Sequence, residues 1–248
     1  MSQLLLAVDT SGKNGSLALA RETPDRREID VIEVVPLTGG AFSAELVPRI
    51  AALLEKHRRS KNDLEAFAVA SGPGSFTGLR VGLAAIKALA EALRKPIVAV
   101  SLLEAVACSS AARGRILAGL DAGRGDVYAG DYEFDAAVGA QALMRSERLL
   151  SREDFVAEAT GAKARPAGNE FEAVVTPDAA LAEAVQFAAN AAGIAQGVRV
   201  ELIEHPNSGV IARLGWEHLQ RGETVTPEKL EANYIRHSDA EIFSKPKL

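Results

Sequence analysis

An apolar run that ends in aspartate, turns on small residues and resumes as a second apolar run occurs twice in this chain. The first copy is Leu5-Leu6-Ala7-Val8-Asp9-Thr10-Ser11-Gly12, followed by Gly15 to Ala20. The second is Ala118-Gly119-Leu120-Asp121-Ala122-Gly123-Arg124, followed by Asp126 to Phe134. Each predicts a β-hairpin, since Ser, Gly and Asn suit a tight turn between strands. The echo predicts two copies of one structural unit, which narrows the possible architectures sharply.

The segments around the first hairpin extend that unit. Glu28 to Val35 reads as a third strand, ended by Pro36. A helix follows, with Ser43 as its cap, Leu46, Ile50, Leu53 and Leu54 as its apolar face, and Pro48 expected to bend it or loosen its first turn. Phe67 to Ala70 is a buried strand feeding a glycine-rich loop, a helix from Leu79 to Arg94, and a strand from Ile97 to Val100. The order predicts a mixed sheet of three meander strands and then helical crossovers, an α/β unit of the type βββαβα. In the second half, Leu102 to Ala112 reads as a helix capped by Ser101. Ser151 to Ala159 is a short helix, Val174 to Pro177 a strand, and Asp178 to Ala192 an Ala-rich helix. Asp135 to Gln141 reads as loop or strand edge, Ser208 caps a last helix stopped by Gly222, and the tail after Ile235 is polar. The expected division is 1–103 and 104–248, with the last helix near 208–221 able to pack back on the first domain.

With 248 residues, 48% hydrophobic and 25% charged, the chain is long enough for one large domain or two of roughly 100–130 residues, either able to bury a core. A net charge of −5, with no basic run beyond Arg58-Arg59-Ser60-Lys61, argues against a direct grip on nucleic acid. The single Cys108 excludes an internal disulfide and a multi-cysteine metal site. No uncharged apolar stretch reaches the roughly 18 residues of a spanning helix, and Met1 to Leu6 lacks the basic flank of a signal peptide. The expected setting is cytoplasmic.

Several residues could carry chemistry. Asp9 with Ser11, and Asp121 with Gly123, could hold a phosphate or a Mg²⁺-bound water; equally, each aspartate could brace only its own turn. Gly168-Asn169 is a further turn of this kind. Gly72-Pro73-Gly74-Ser75-Phe76-Thr77-Gly78 could present amides to an anion or form a rigid βα turn. It matches neither a P-loop nor a dinucleotide fingerprint. In the helix that comes next, Gly78, Gly82, Ala85 and Leu89 make a stripe of mostly small residues beside the core stripe. That pattern fits a helix deep in its own domain or one packed closely on another helix or chain. His57, His205, His218 and His237 include no pair at helical metal-binding spacing, so no metal site is expected. No nucleophile elbow is present, and Cys108 sits among small residues as a packing group.

Four blocks, Leu5 to Ser11, Ser71-Gly72-Pro73-Gly74-Ser75-Phe76-Thr77-Gly78-Leu79-Arg80-Val81-Gly82, Leu120 to Tyr128, and Asn233-Tyr234-Ile235-Arg236, share the order and spacing of one family. The chain resembles the TsaB (YeaZ) family of bacterial tRNA threonylcarbamoyladenosine biosynthesis proteins. The resemblance implies two RNase H-like domains of the actin/Hsp70/sugar-kinase type. It implies a non-catalytic subunit that binds and activates TsaD, the metal-containing transferase acting on adenosine 37 of tRNA. A TsaE-type ATPase joins the assembly, a homodimer replaces it when TsaD is absent, and tRNA is met only indirectly. The implied partner face is the helix pair at 43–59 and 79–94, with Leu46, Arg49, Ile50 and Leu53 on the first. Gly78, Arg80, Gly82, Ala85, Lys87 and Leu89 lie on the second, the small residues allowing close approach and the two cations setting register. Phe42 stands where many members carry a histidine. The aspartate turns are then vestigial phosphate sites, no cofactor is implied, and ATP or ADP enters only within the complex. The rival readings are an actin-fold phosphotransferase with Asp9 and Asp121 around Mg-ATP and, more remotely, a peptidase-like hydrolase.

Overall fold

The computed structural model describes residues 3–25, 28–134, 142–162, 170–193 and 198–236. The expectations for Asp135 to Gln141, Gly168-Asn169 and the tail beyond Arg236 lie outside the described residues. Two compact units are present. One holds the described residues through Leu102 together with Pro206–Tyr234; the other holds Leu103–His205 with Ile235 and Arg236.

In the first unit, β1 (Leu4–Asp9), β2 (Gly15–Glu22), β3 (Ile29–Leu37), β4 (Leu64–Gly72) and β5 (Ile97–Ser101) form a sheet in the order β3-β2-β1-β4-β5. β1 runs antiparallel to β2 and parallel to β4. The helices α1 (Phe42–Lys56) and α2 (Phe76–Leu93) precede and follow β4. In the second unit, β6 (Gly114–Gly123), β7 (Asp126–Phe134), β8 (Ala142–Ser151), β9 (Ala173–Thr176) and β10 (Arg199–Leu202) take the order β8-β7-β6-β9-β10. Again the first strand is antiparallel to the second and parallel to the fourth. The helices of this unit include α4 (Arg152–Ala159) and α5 (Ala179–Ala191). The two sheets match strand for strand, and the fold is a duplicated mixed α/β unit, as the repeated turn predicts.

β1 is buried along its whole length because both faces of its sheet are covered. Leu4, Leu6 and Val8 join Leu17, Leu19, Phe67 and Val69 in a core shared with Leu46, Ile50 and Leu53 of α1 and with Leu79, Leu83 and Ile86 of α2. The alternate positions are mostly small: Ala7, Ala18, Ala20, Ala66, Ala68 and Ala70 are all buried, with Leu5 the large exception. On that side lies α6 (Ser208–Gln220), where a Cβ on Gly215 would run into Ala68. Small residues on both sides let helix and sheet approach closely.

Local chemistry sets the helix ends. Ser75 accepts from the Gly78 amide at 3.3 Å and caps α2, starting it three residues before the predicted Leu79. Ala41, not Ser43, holds the cap position of α1, because Phe42 is drawn into the core, and the helix continues through the exposed Pro48. Asn207, not Ser208, caps α6 through the Gly209 amide at 2.8 Å; the Ser208 amide instead reaches Ser16 Oγ at 2.8 Å. The helix α3 (Leu102–Cys108) stops short of Ala112. There Ser109 Oγ turns back to the Ala105 carbonyl at 2.7 Å, and Ser110 Oγ takes the Ala112 amide at 2.9 Å.

Candidate functional site

The β1–β2 turn and the glycine-rich loop lock together. Asp9 is buried, and its Oδ1 accepts from the Ser11 amide at 2.8 Å and the Ser11 hydroxyl at 2.6 Å. The Ser11 carbonyl in turn accepts from the Ser75 amide at 2.6 Å, and Thr10 Oγ1 donates to the Gly78 carbonyl at 2.8 Å. A Cβ at Gly74 would collide with Ser11, one at Gly78 with the Thr10 carbonyl, and one at Gly82 with Thr10 Oγ1. The glycines are thus needed for close approach to the turn. Gly78 and Gly82 are buried against Thr10 and do not form a face offered to a partner, which corrects the role given to them from sequence. The amides of Ser11, Ser75 and Gly78 have partners within the unit.

The second unit repeats the aspartate turn in another setting. Asp121 is exposed, and its Oδ1 accepts from the Gly123 amide at 3.1 Å. Gly123, Arg124 and Gly125 come next at φ of 71°, 59° and 84°, a left-handed run that two glycines permit. Arg236 clasps this turn. Its guanidinium donates to the Ala122 carbonyl at 2.9 Å and the Gly123 carbonyl at 3.4 Å, and it pairs with Asp126. Burial pushes the Tyr128 phenol up; Arg236 opposes that shift, while Asp121 and Asp126 add to it.

The block Asn233 to Arg236 is an anchor whose role sequence reasoning missed. The Asn233 amide donates to the Ser71 carbonyl at 2.7 Å, and the Tyr234 hydroxyl accepts from Arg80 Nε at 3.0 Å. Nothing in the local sequence signals this, because the partners Ser71 and Arg80 lie far away in the chain.

The helix pair presents a different surface from the expected one. Leu46, Ile50 and Leu53 are core residues, at most 5% exposed, and so cannot meet a partner. α1 exposes Ala44, Val47, Pro48, Arg49, Ala51 and Ala52 together with the polar Ser43, Glu55 and Lys56, and Val47 is 55% exposed. Arg49 lies 3.8 Å from Glu45 on the same helix. On α2, Ala84 and Ala88 are exposed, Ala85, Lys87 and Leu89 half-buried, and Arg80 exposed at the edge. At the far end of α1, Lys56 Nζ and His57 Nε2 hold the Glu33 carboxylate at 2.7 and 2.8 Å, fastening the helix to β3. The Lys56 bond, then that of His57, keeps the Glu33 carboxyl below its usual range.

Among the described residues no group of three His, Cys, Asp or Glu side chains could hold a metal, and no helix is long and apolar enough to cross a membrane.

Known proteins resemble this chain in sequence and in fold. The family model described as TsaD, tRNA N6-adenosine threonylcarbamoyltransferase, matches residues 34–243. The tRNA threonylcarbamoyladenosine biosynthesis protein TsaB of Bacillus subtilis (strain 168) is 38% identical over 135 residues, 52% of this chain and 55% of that protein. The protein of the same name from Escherichia coli (strain K12) is 30% identical over 134 residues, 53% of this chain and 55% of its own. The chain thus spans about half the length of the curated relatives it matches. The solved structure of YeaZ from Pseudomonas aeruginosa shares the fold, with a TM-score of 0.67 and 23% identity over 94% of this chain and 99% of that one.

Proposed function

The chain belongs to the TsaD family, on the side of its TsaB (YeaZ) members, and from that premise we propose that it is a non-catalytic subunit of threonylcarbamoyladenosine formation on tRNA. Its task is to bind a TsaD-type transferase and hold it in an active arrangement. The carrying observation is the outer face of α1 and α2. Val47, Ala51, Ala84 and Ala88 lie there in the open, on two helices whose inner faces are fixed in one core. Small apolar residues on rigid helices let a partner helix approach closely at little entropic cost. A second copy of this chain would use the same face when the transferase is absent, and a TsaE-type ATPase would join the assembled pair.

The non-catalytic reading is supported by the histidines, none of which forms a helix-borne pair. The acidic net charge fits a subunit that leaves tRNA to its partner. ATP or ADP would belong to the complex and not to this chain alone.

Co-purification with the TsaD-type subunit of the same organism tests the reading. The double variant Val47→Asp and Ala84→Arg should lose the partner while keeping the wild-type melting temperature. Unchanged capture by that variant would refute the surface. Micromolar binding of Mg-ATP by the isolated chain would favour the phosphotransferase. Restoration of the modified nucleoside in cells depleted of their own TsaB tests the pathway assignment.

A further inference from the structure

Arg80 is held in an unusual way for a residue on an exposed helix face. Its guanidinium carbon lies 3.6 Å from the centroid of the Phe76 ring and 6.0 Å from that of Tyr234, and the two rings are 5.0 Å apart. Its Nε is bound to the Tyr234 hydroxyl at 3.0 Å. Among the described residues no carboxylate lies within ion-pair distance of it, so both terminal amino groups remain available. Stacking and the Nε bond fix the plane of the fork in advance, which lowers the ordering cost of a bidentate contact.

A groove of about 380 Å³ opens beside it, lined by Arg80, Ala84 and Lys87 of α2 and by Leu230, Glu231 and Tyr234 of the chain that runs alongside. Lys87 sits two turns beyond Arg80 on the same side of the helix. Glu228 is close enough that Lys87, after the Thr226 hydroxyl and its own backbone, helps to hold its carboxyl below the ordinary range. Lys87 is therefore partly balanced by Glu228, whereas Arg80 has no ion-pair partner among the described residues and can recruit an outside anion. The groove borders the small apolar strip of Ala84 and Ala88, so a ligand helix lying on the strip would carry its flanking side chain over Arg80.

We propose that this groove receives a carboxylate from an acidic residue on the partner helix, with Arg80 as the bidentate anchor and Lys87 as longer-range attraction. The inference rests on the partner reading above and adds a specificity-determining contact to it. An apolar strip can bind many helices; a pre-set arginine fork at its edge selects one with an acid at the matching position and fixes its register.

The test is calorimetric titration of the full chain with the TsaD-type subunit at about 0.05 M and about 0.5 M NaCl, where screening differs strongly. Arg80→Met, which keeps much of the apolar stem, should weaken binding about tenfold at low salt, and the deficit should shrink to about twofold at high salt. Lys87→Met should lose about threefold at low salt, with the same trend. Arg80→Lys should recover only part of the loss, because an ammonium cannot make the fork. Wild-type affinity in Arg80→Met at both salts would overturn the proposal, and so would a loss that does not change with salt. Micromolar binding of inorganic phosphate by the chain alone, abolished in Arg80→Met, would also overturn it by making the groove a small-anion site. Val47→Asp separates the two ideas: it should break binding at either salt, and if it does so while Arg80→Met does not, the docking face stands without the acidic anchor.

Discussion

The two aspartate turns are the same device put to different use. Each aspartate accepts the amide two residues on. Asp9, however, is 3% exposed beneath the glycine loop, whereas Asp121 stands in the open. The difference lies in the segment after the fourth strand of each sheet. After β4 come Gly74, Gly78 and Gly82, all pressed against Thr10 and Ser11. After β9 the chain passes through Pro177 to Asp178, which caps α5 through the amides of Ala180 and Leu181 at 2.9 and 3.2 Å. With no glycine there, the turn of the second unit is secured instead by Arg236. The sheet order is the same in both units, and specialisation lies in how each turn is held. The first is held by backbone packing, the second by a side-chain clasp.

The comparison can be broken most severely at Gly82. Gly82→Val puts a branched side chain where a Cβ alone already collides with Thr10 Oγ1 and should cost about 3 kcal/mol, read as a lower urea midpoint. Arg236→Met should cost about 2 kcal/mol, because it strips the second turn of charge-assisted bonds. It should also raise the Tyr128 pKa further, since Arg236 is the opposing influence there, and ultraviolet titration of tyrosinate reads that shift directly. Gly123→Ala meets open space and should cost only the strain of its left-handed backbone, about 1 kcal/mol. The smallest effect concerns Glu33. Its carboxyl is held below the usual range in the folded chain, so its contribution is complete above the ordinary glutamate pKa and is lost as pH falls through the lowered one. Glu33→Gln should therefore flatten the acid limb of a stability–pH profile and leave the neutral region nearly level.

Much of this architecture was legible in the residues. The apolar runs either side of Asp9 announced the first hairpin, and the repeated turn announced the duplication. β8 escaped notice because Ala142-Leu143-Met144-Arg145-Ser146-Glu147-Arg148 has no alternation; pairing with β7 imposes the strand, helped by the Arg145–Glu133 and Tyr132–Glu147 contacts. β10 is as short as β9, but Arg199-Val200-Glu201-Leu202 carries two charges and has no buried residue, so it lacks the apolar run that marked β9. Along α1, periodicity found the apolar stripe but could not tell core from interface. Leu46, Ile50 and Leu53 proved to be the core, and the exposed Val47 lies outside that stripe. Gly82 read as a helix-packing residue because its real neighbour, Thr10, lies far back in the chain.

The proposed partner-binding surface lies on α1 and α2. Hydrogen–deuterium exchange on the full chain, with and without the TsaD-type transferase, tests it most directly. Added protection should appear in peptides covering Phe42–Lys56 and Phe76–Leu93 and be absent from the strands of the second unit. Protection confined to β6 through β10, with both helices unchanged, would contradict it.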